Sequence, residues 1–241
     1  MVARQYEHEK IDFDGALTYS LKSFNASLAR NECIRRLVTT VDDNDWIFFP
    51  DDDCLFLSAP ARFLFGNPNV IICGDVLNAA SKNKMGISPA RSYGLVSLDR
   101  CFYKISCPRL AISGKILRYC HFPDNIGPGC FLSALEETYM LYELKNNFNG
   151  KIKVQYTPSL RLAHPPNDMT DLKKHYQYGL SQGSFFRFLI KRSVISALGY
   201  SVILIRPLLG LILNCLCPQV RDYYATRVAG IIHGIRYKEV R

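Results

Sequence analysis

The sharpest change of polarity along the chain falls at Trp46-Ile47-Phe48-Phe49-Pro50-Asp51-Asp52-Asp53-Cys54-Leu55-Phe56, where a short aromatic run stops at three consecutive carboxylates. A run this short, rich in aromatic residues and bounded by turn residues, predicts a buried strand. Before it, residues 16–21 read as a short strand. Ile34, Leu37, Val38 and Val41 then recur at the helical interval behind Ser27 as N-cap, while Arg30, Asn31, Arg35 and Arg36 lie mostly off that stripe. Residues 42–45 form a turn by composition. The expected unit is strand, helix, strand, with the second strand arriving by a parallel crossover.

Further on, residues 69–76 predict a second buried strand and residues 78–86 a polar loop. Residues 92–104 and 110–117 alternate well enough to suggest more strands. A turn cluster at 124–130 leads into a helical pattern over 131–144. Residues 151–156 alternate strictly, with Ile152, Val154 and Tyr156 inward, and a separate apolar run over 160–164 ends at Pro165-Pro166. Residues 194–217 are the most apolar stretch, and Arg206-Pro207 is expected to cut it into two half-length helices. A membrane span takes about 20 apolar residues, so the halves are expected to lie in one leaflet. Lys191 and Arg192 before them, and Arg221, Arg227, Arg236, Lys238 and Arg241 after them, would meet anionic headgroups. The alternative is a helical hairpin packed on the rest of the chain.

The 241 residues, 48% of them hydrophobic, suffice for one main core, expected over residues 1–188, with an apolar and basic tail over 189–241. A formal net charge of +9 admits nucleic acid, an anionic membrane surface or phosphorylated substrates. Long basic runs with interleaved aromatics are absent, which argues against nucleic acid. The nine cysteines are scattered without a CxxC pair, so neither a disulfide framework nor a zinc site of familiar spacing is indicated. Residues 1–10 carry no apolar core and predict no secretory signal. The cytoplasmic face of the cell membrane is the expected location.

Three adjacent carboxylates repel one another, and a hard cation such as Mg²⁺ or Mn²⁺ relieves that repulsion while keeping positions open for substrate phosphates. Asp51, Asp52 and Asp53 are therefore candidates for binding a metal and a phosphorylated ligand; the alternative is a solvated acidic turn. Glu136 and Glu137, at the start of a predicted helix, are either helix-dipole partners or a general base. His164 at a strand end is a candidate metal ligand or phosphate contact, and Arg30 and Asn31 are candidate phosphate contacts.

Together these motifs resemble the family 2 glycosyltransferases, the large GT-A group that builds polysaccharides from nucleotide sugars. Ser27-Leu28-Ala29-Arg30-Asn31 is similar to that group's helix before the DxD strand, and Phe49-Pro50-Asp51-Asp52-Asp53 to its metal and nucleotide-sugar motif. Glu136-Glu137 falls where the group carries its Glu-Asp pair, and Tyr178-Gly179 with Gln182-Gly183 resemble a glycine-bearing helix after the histidine. The resemblance covers roughly residues 16–185. It implies an α/β GT-A fold, Rossmann-like, with a mixed and mostly parallel sheet flanked by helices. It also implies inverting transfer from a nucleotide-sugar donor to a hydroxyl of a glycan or lipid-linked acceptor, with the metal on Asp53, Asp51 and His164 and Glu137 as base beside Glu136. Arg30, Asn31, Asp51 and Asp52 would contact the donor. In two respects the chain departs from the pattern. The base position holds Glu137 where the family more often has Asp, with Ala134-Leu135 in place of the small glycine before the pair, and the family's first two strands have no counterpart before Ala16, so the chain is expected to begin partway into the fold and to bind nucleotide weakly. Two rival readings are an inactive relative serving as scaffold and a metal-dependent nucleotidyltransferase, although the latter's glycine-rich basic loop is absent.

Overall fold

The computed structural model describes residues 2–3, 18–19, 25–58, 67–166 and 168–237. The protein is an α/β structure with one mixed, curled sheet and a set of C-terminal helices. Two short strands, β1 (Val2–Ala3) and β2 (Thr18–Tyr19), pair in parallel as a separate sheet. Helix α1 (Ala26–Leu37) follows, and then β3 (Trp46–Phe48) and β4 (Leu55–Ser58) on either side of the three aspartates. The long β5 (Val70–Asn78) leads through the short β6 (Lys84–Met85) and β7 (Gly94–Ser97) to a helical turn, α2 (Leu98–Cys101). Next come β8 (Leu110–Ser113), the turn α3 (Gly114–Leu117), helix α4 (Glu136–Asn147) and β9 (Lys153–His164). Among the described residues three helices follow: α5 (Leu172–Arg192), α6 (Val194–Leu213) and α7 (Pro218–Arg236).

The sheet runs β3-β8-β5-β9-β4, with β6 beside β5 and β7 beside β9. Among the described residues only β5 and β9 pair in parallel in this sheet, and its other pairings are antiparallel. The expected mostly parallel sheet is thus corrected to a mostly antiparallel one. The predicted crossover fails for the same reason, since β3 pairs antiparallel with β8 and not with β2. Aromatic and β-branched composition favours strands in either direction, and direction is set by which partners meet.

The two runs at 151–156 and 160–164 join into one twelve-residue strand, β9, which carries a register shift opposite Cys73 and Asp75 of β5. Gly74 sits at that shift, where a Cβ would drive into the Leu160 carbonyl and lie 2.7 Å from Leu160 Cγ. Only a glycine lets the backbones approach so closely there. Beyond the shift β9 changes its outer neighbour, from β7 in its first half to β4 in its second, and this curls the sheet.

Alternation along the central strands separates two apolar clusters. Ile71, Cys73, Leu110 and Ile112 face the larger one, which is filled by α4, α5 and α6 through Tyr139, Tyr142, Phe185, Phe188 and Tyr200. Ile72 and Ala111 face the smaller, with Leu160 and Leu162. Edge-to-face contacts such as Tyr139 with Phe185, centroids 4.5 Å apart, knit the helices to one another.

The C-terminal helices correct a further expectation. α6 passes through Arg206-Pro207 without interruption, although proline removes a helical hydrogen bond and costs roughly 3 kcal/mol in a helix interior. Burial of Ala197, Tyr200, Leu204, Pro207 and Gly210 along one face of α6 offsets that cost. Its other face is bare, with Ile195, Leu198, Val202, Leu209 and Ile212 exposed. Among the described residues α6 is the one helix long and apolar enough to cross a membrane by length and composition.

α5 and α7 meet backbone to backbone. A Cβ on Gly179 or Gly183 would drive into the Arg227 or Ile231 carbonyl, and one on Gly230 or Gly234 into the Tyr176 or Leu180 carbonyl. Two small-xxx-small pairs facing one another allow this approach, which explains the glycines of the Tyr178-Gly179 and Gln182-Gly183 motif.

Candidate functional site

Helix α1 is fixed first, by side chains at its start. Asn25, not Ser27, is its N-cap, accepting from Leu28 N at 3.1 Å. Ser27 lies inside the first turn, buried, and donates to the Ile126 carbonyl at 2.5 Å. The Asn31 amide donates to Phe122 O at 2.7 Å and to Asp124 Oδ1 at 2.9 Å, and its oxygen accepts from Phe122 N at 2.8 Å. Asn31, a candidate phosphate contact from the sequence, braces the 122–124 loop through these bonds.

That loop leads to the carboxylate pair. Helix α4 starts at Glu136 and not at 131, because Gly127 N donates to Leu132 O at 2.7 Å and folds 126–132 into a closed turn. Leu135, the N-cap, has φ +77°. A branched apolar residue in the left-handed region costs on the order of 1–3 kcal/mol. Leu135 thus holds a backbone shape that a glycine would adopt freely.

Arg30 ties the two acidic groups together. Its Nη1 lies 2.5 Å from Glu136 Oε1 and its Nη2 3.2 Å from Asp51 Oδ1, while its guanidinium stacks 5.4 Å over the Phe122 ring. The Glu136 side chain is only 6% exposed, so this ion pair occupies it. Glu137 has no hydrogen-bond or ion-pair partner side chain among the described residues. Burial and the neighbouring Glu136 charge push its carboxyl up to about 8. Cys107 stands beside the pair, with a thiol atom and one oxygen of each glutamate all within 4.8 Å of one another. Burial holds that thiol well above its ordinary range, so it is a neutral neighbour.

The second group forms across strands. β4 begins just after the aspartates and pairs antiparallel with the end of β9, Leu55 opposite Ala163. This register brings His164 Nε2 to 3.4 Å from Asp53 Oδ1 and 3.9 Å from Asp51 Oδ2. Cys54 Sγ completes a set of four ligand-type atoms within 4.8 Å. His164 Nδ1 lies 2.5 Å from the Pro165 carbonyl. A carbonyl only accepts, so Nδ1 carries a proton and donates to it, while Nε2 is the ring nitrogen that faces the two carboxylates. That arrangement suits a cation between them, with the backbone carbonyl orienting the imidazole from behind. Asp51 is pushed up by burial, opposed by Arg30 and His164, and a cation would favour its charged form. Asp52 is exposed on the turn.

A cleft of about 1220 Å³ opens over both groups, lined by Arg30, Asp51 to Asp53, Glu136, Glu137 and His164. Its other wall comes from the C-terminal helices: Lys174, Tyr178 and Gln182 of α5, Arg206 of α6 and Arg227 of α7. Sequence reasoning missed this wall as part of a site. The signal was present, since Lys174, Tyr178 and Gln182 repeat at i, i+4 and i+8 on one helix face, and an arginine inside an apolar helix marks a polar side.

Compared with known families and with curated proteins, the chain matches no family model and no curated protein.

Proposed function

We propose that the chain is a metal-dependent, inverting glycosyltransferase of GT-A type, resembling family 2. In this reading it moves a sugar from a nucleotide-sugar donor to a hydroxyl of a glycan or lipid-linked acceptor in polysaccharide assembly. One observation carries the reading: an imidazole and two carboxylates converge on one point, while an unpaired carboxylate with a raised pKa opens on the same cleft. Asp51, Asp53 and His164 would hold Mg²⁺ or Mn²⁺, and the bound cation would neutralise the diphosphate leaving group.

The chain's own residues do the rest. Glu137 accepts the proton of the acceptor hydroxyl as that oxygen attacks the anomeric carbon and the bond to the diphosphate breaks. Its raised pKa makes it a stronger base than an ordinary carboxylate and requires a pH at which it is ionised. Arg30 holds Glu136 in its ion pair, which leaves Glu137 as the member free to take a proton. Arg30 also anchors Asp51 through Oδ1, while His164 approaches Oδ2. The bare apolar face of α6, with Lys191 and Arg236 on the flanking helices, supports association with an anionic membrane surface.

The test is titration of the protein with Mn²⁺ by calorimetry. Asp51→Asn with Asp53→Asn abolishes binding, and His164→Ala weakens it more than tenfold. Equal Mn²⁺ binding by wild type and the double variant refutes the proposal and returns the aspartates to a solvated turn.

A further inference from the structure

The helical wall of the cleft carries three cations, Lys174, Arg206 and Arg227, and none of them has a carboxylate partner among the described residues. Arg227 is the informative one. It is partly buried between α7 and α5, where its Nε donates to Gln182 Oε1 at 3.2 Å and its guanidinium lies 5.2 Å over the Tyr178 ring. Lys174 Nζ approaches the same ring at 5.8 Å. Neutral amide and aromatic partners orient these charges without cancelling them, whereas Arg30 across the cleft is already shared between Glu136 and Asp51. A partly buried guanidinium without a counter-ion is costly unless an anion completes it.

The wall also has a definite place in the fold. Arg206 lies on α6 between Ile205 and Leu208, both exposed, so the cation stands where the cleft meets the bare apolar face. A ligand with a charged head in the cleft and a hydrocarbon continuation along α6 would satisfy both.

From this arrangement we infer that the α5–α7 wall is a subsite for a phosphate or diphosphate group, separate from the Asp51–Asp53–His164 group, and that the acceptor is phosphate-bearing. The word acceptor rests on the transferase reading; the anion subsite itself does not. Guanidinium groups suit phosphate because their planar donors meet its oxygens in pairs. Gln182 and Tyr178 fix the fork of Arg227 in advance, which reduces the cost of ordering it.

The experiment uses inorganic pyrophosphate with EDTA present, so that the cation group is silent. Calorimetry on the full chain gives pyrophosphate binding that weakens at least tenfold in Arg206→Gln with Arg227→Gln. The same binding is undiminished in Asp51→Asn with Asp53→Asn, which separates failure of this subsite from failure of the metal reading. Arg206→Gln alone, at an exposed position where folding is not at risk, weakens binding severalfold. A double variant that binds pyrophosphate as well as wild type overturns the inference. Flotation with phosphatidylcholine vesicles, with and without a phosphomonoester lipid, then distinguishes two sources of the group. Phosphomonoester-dependent flotation lost in Arg206→Gln assigns a lipid acceptor; flotation unaffected by the variant, with pyrophosphate binding lost, assigns a soluble one.

Discussion

The same substitution, glycine to alanine, has opposite consequences at two positions of the helical bundle. At Gly183 in α5 an added Cβ drives into the Ile231 carbonyl and lies 2.8 Å from Ile235 N. Both are backbone atoms of α7, so no side chain can swing away. To restore an ordinary carbon-to-oxygen separation of about 3.3–3.6 Å the helices must part by roughly 1.2–1.5 Å. Overpacking of this kind costs about 1–3 kcal/mol, against which alanine recovers about 0.8–1.0 kcal/mol of helix propensity. The expected net loss is about 1–2 kcal/mol, since the clash is with main chain. For a domain of this size about 1 kcal/mol moves Tm by roughly 2–4 °C, so Gly183→Ala should lower Tm by about 2–8 °C. At Gly199 in α6 the nearest atoms to a Cβ are Tyr103 Cε1 and Oη, both at 3.8 Å, an ordinary contact. Gly199→Ala should therefore stabilise by about 0.4–1 kcal/mol, with Tm raised. Differential scanning calorimetry on the three proteins reads both signs. A Gly183→Ala protein as stable as wild type, or stabilised like Gly199→Ala, would refute the close α5–α7 contact, and with it the seating of Arg227 in the cleft.

Four further outcomes are expected. Glu137 binds its proton more tightly when folded, so stability falls as pH rises from the ordinary carboxylate range to about 8; denaturant titrations should show this slope in wild type and a flatter one in Glu137→Gln. On the proposed transferase reading, activity should rise across that limb and be lost in Glu137→Gln at every pH, whereas a variant with unchanged turnover would move the base elsewhere. Gly127→Ala puts a Cβ 2.9 Å from Ser27 Oγ and 3.1 Å from Glu136 Cδ at φ +111°, so it should cost roughly 1–3 kcal/mol by thermal unfolding and lower activity through the Arg30–Glu136 pair. Replacing Ile195, Leu198 and Ile212 by serine should reduce flotation with anionic vesicles while leaving Tm nearly unchanged, since those side chains touch solvent; intact flotation would assign that face to another role.

Much of the local structure is legible in the chain itself. The apolar stripe of Ile34 and Leu37 forms one side of α1 with Val38 as its C-cap, the buried run at 70–76 lies within β5, and Asp51 to Asp53 form a turn after an aromatic strand. These follow from period, turn chemistry and side-chain size, all of which act over a few residues. The candidate residues were legible as types for the same reason, because carboxylates beside an aromatic strand and a glutamate pair at a helix start are local patterns. Tertiary structure decided what they do. Strand direction was not legible, since β-forming residues pair either way, and the antiparallel partners of β3, β4 and β8 come from distant parts of the chain. His164 meets Asp53 only because β4 pairs with the far half of β9 across a register shift. Glu136 and Glu137 differ only because Arg30, 106 residues before Glu136, reaches one of them. The continuity of α6 through Pro207 rests on burial against α5 and α7, and the cationic wall exists because glycines on both of those helices let their backbones touch. A sequence window records propensity, but charge pairing and close packing are summed over neighbours that only the folded chain supplies.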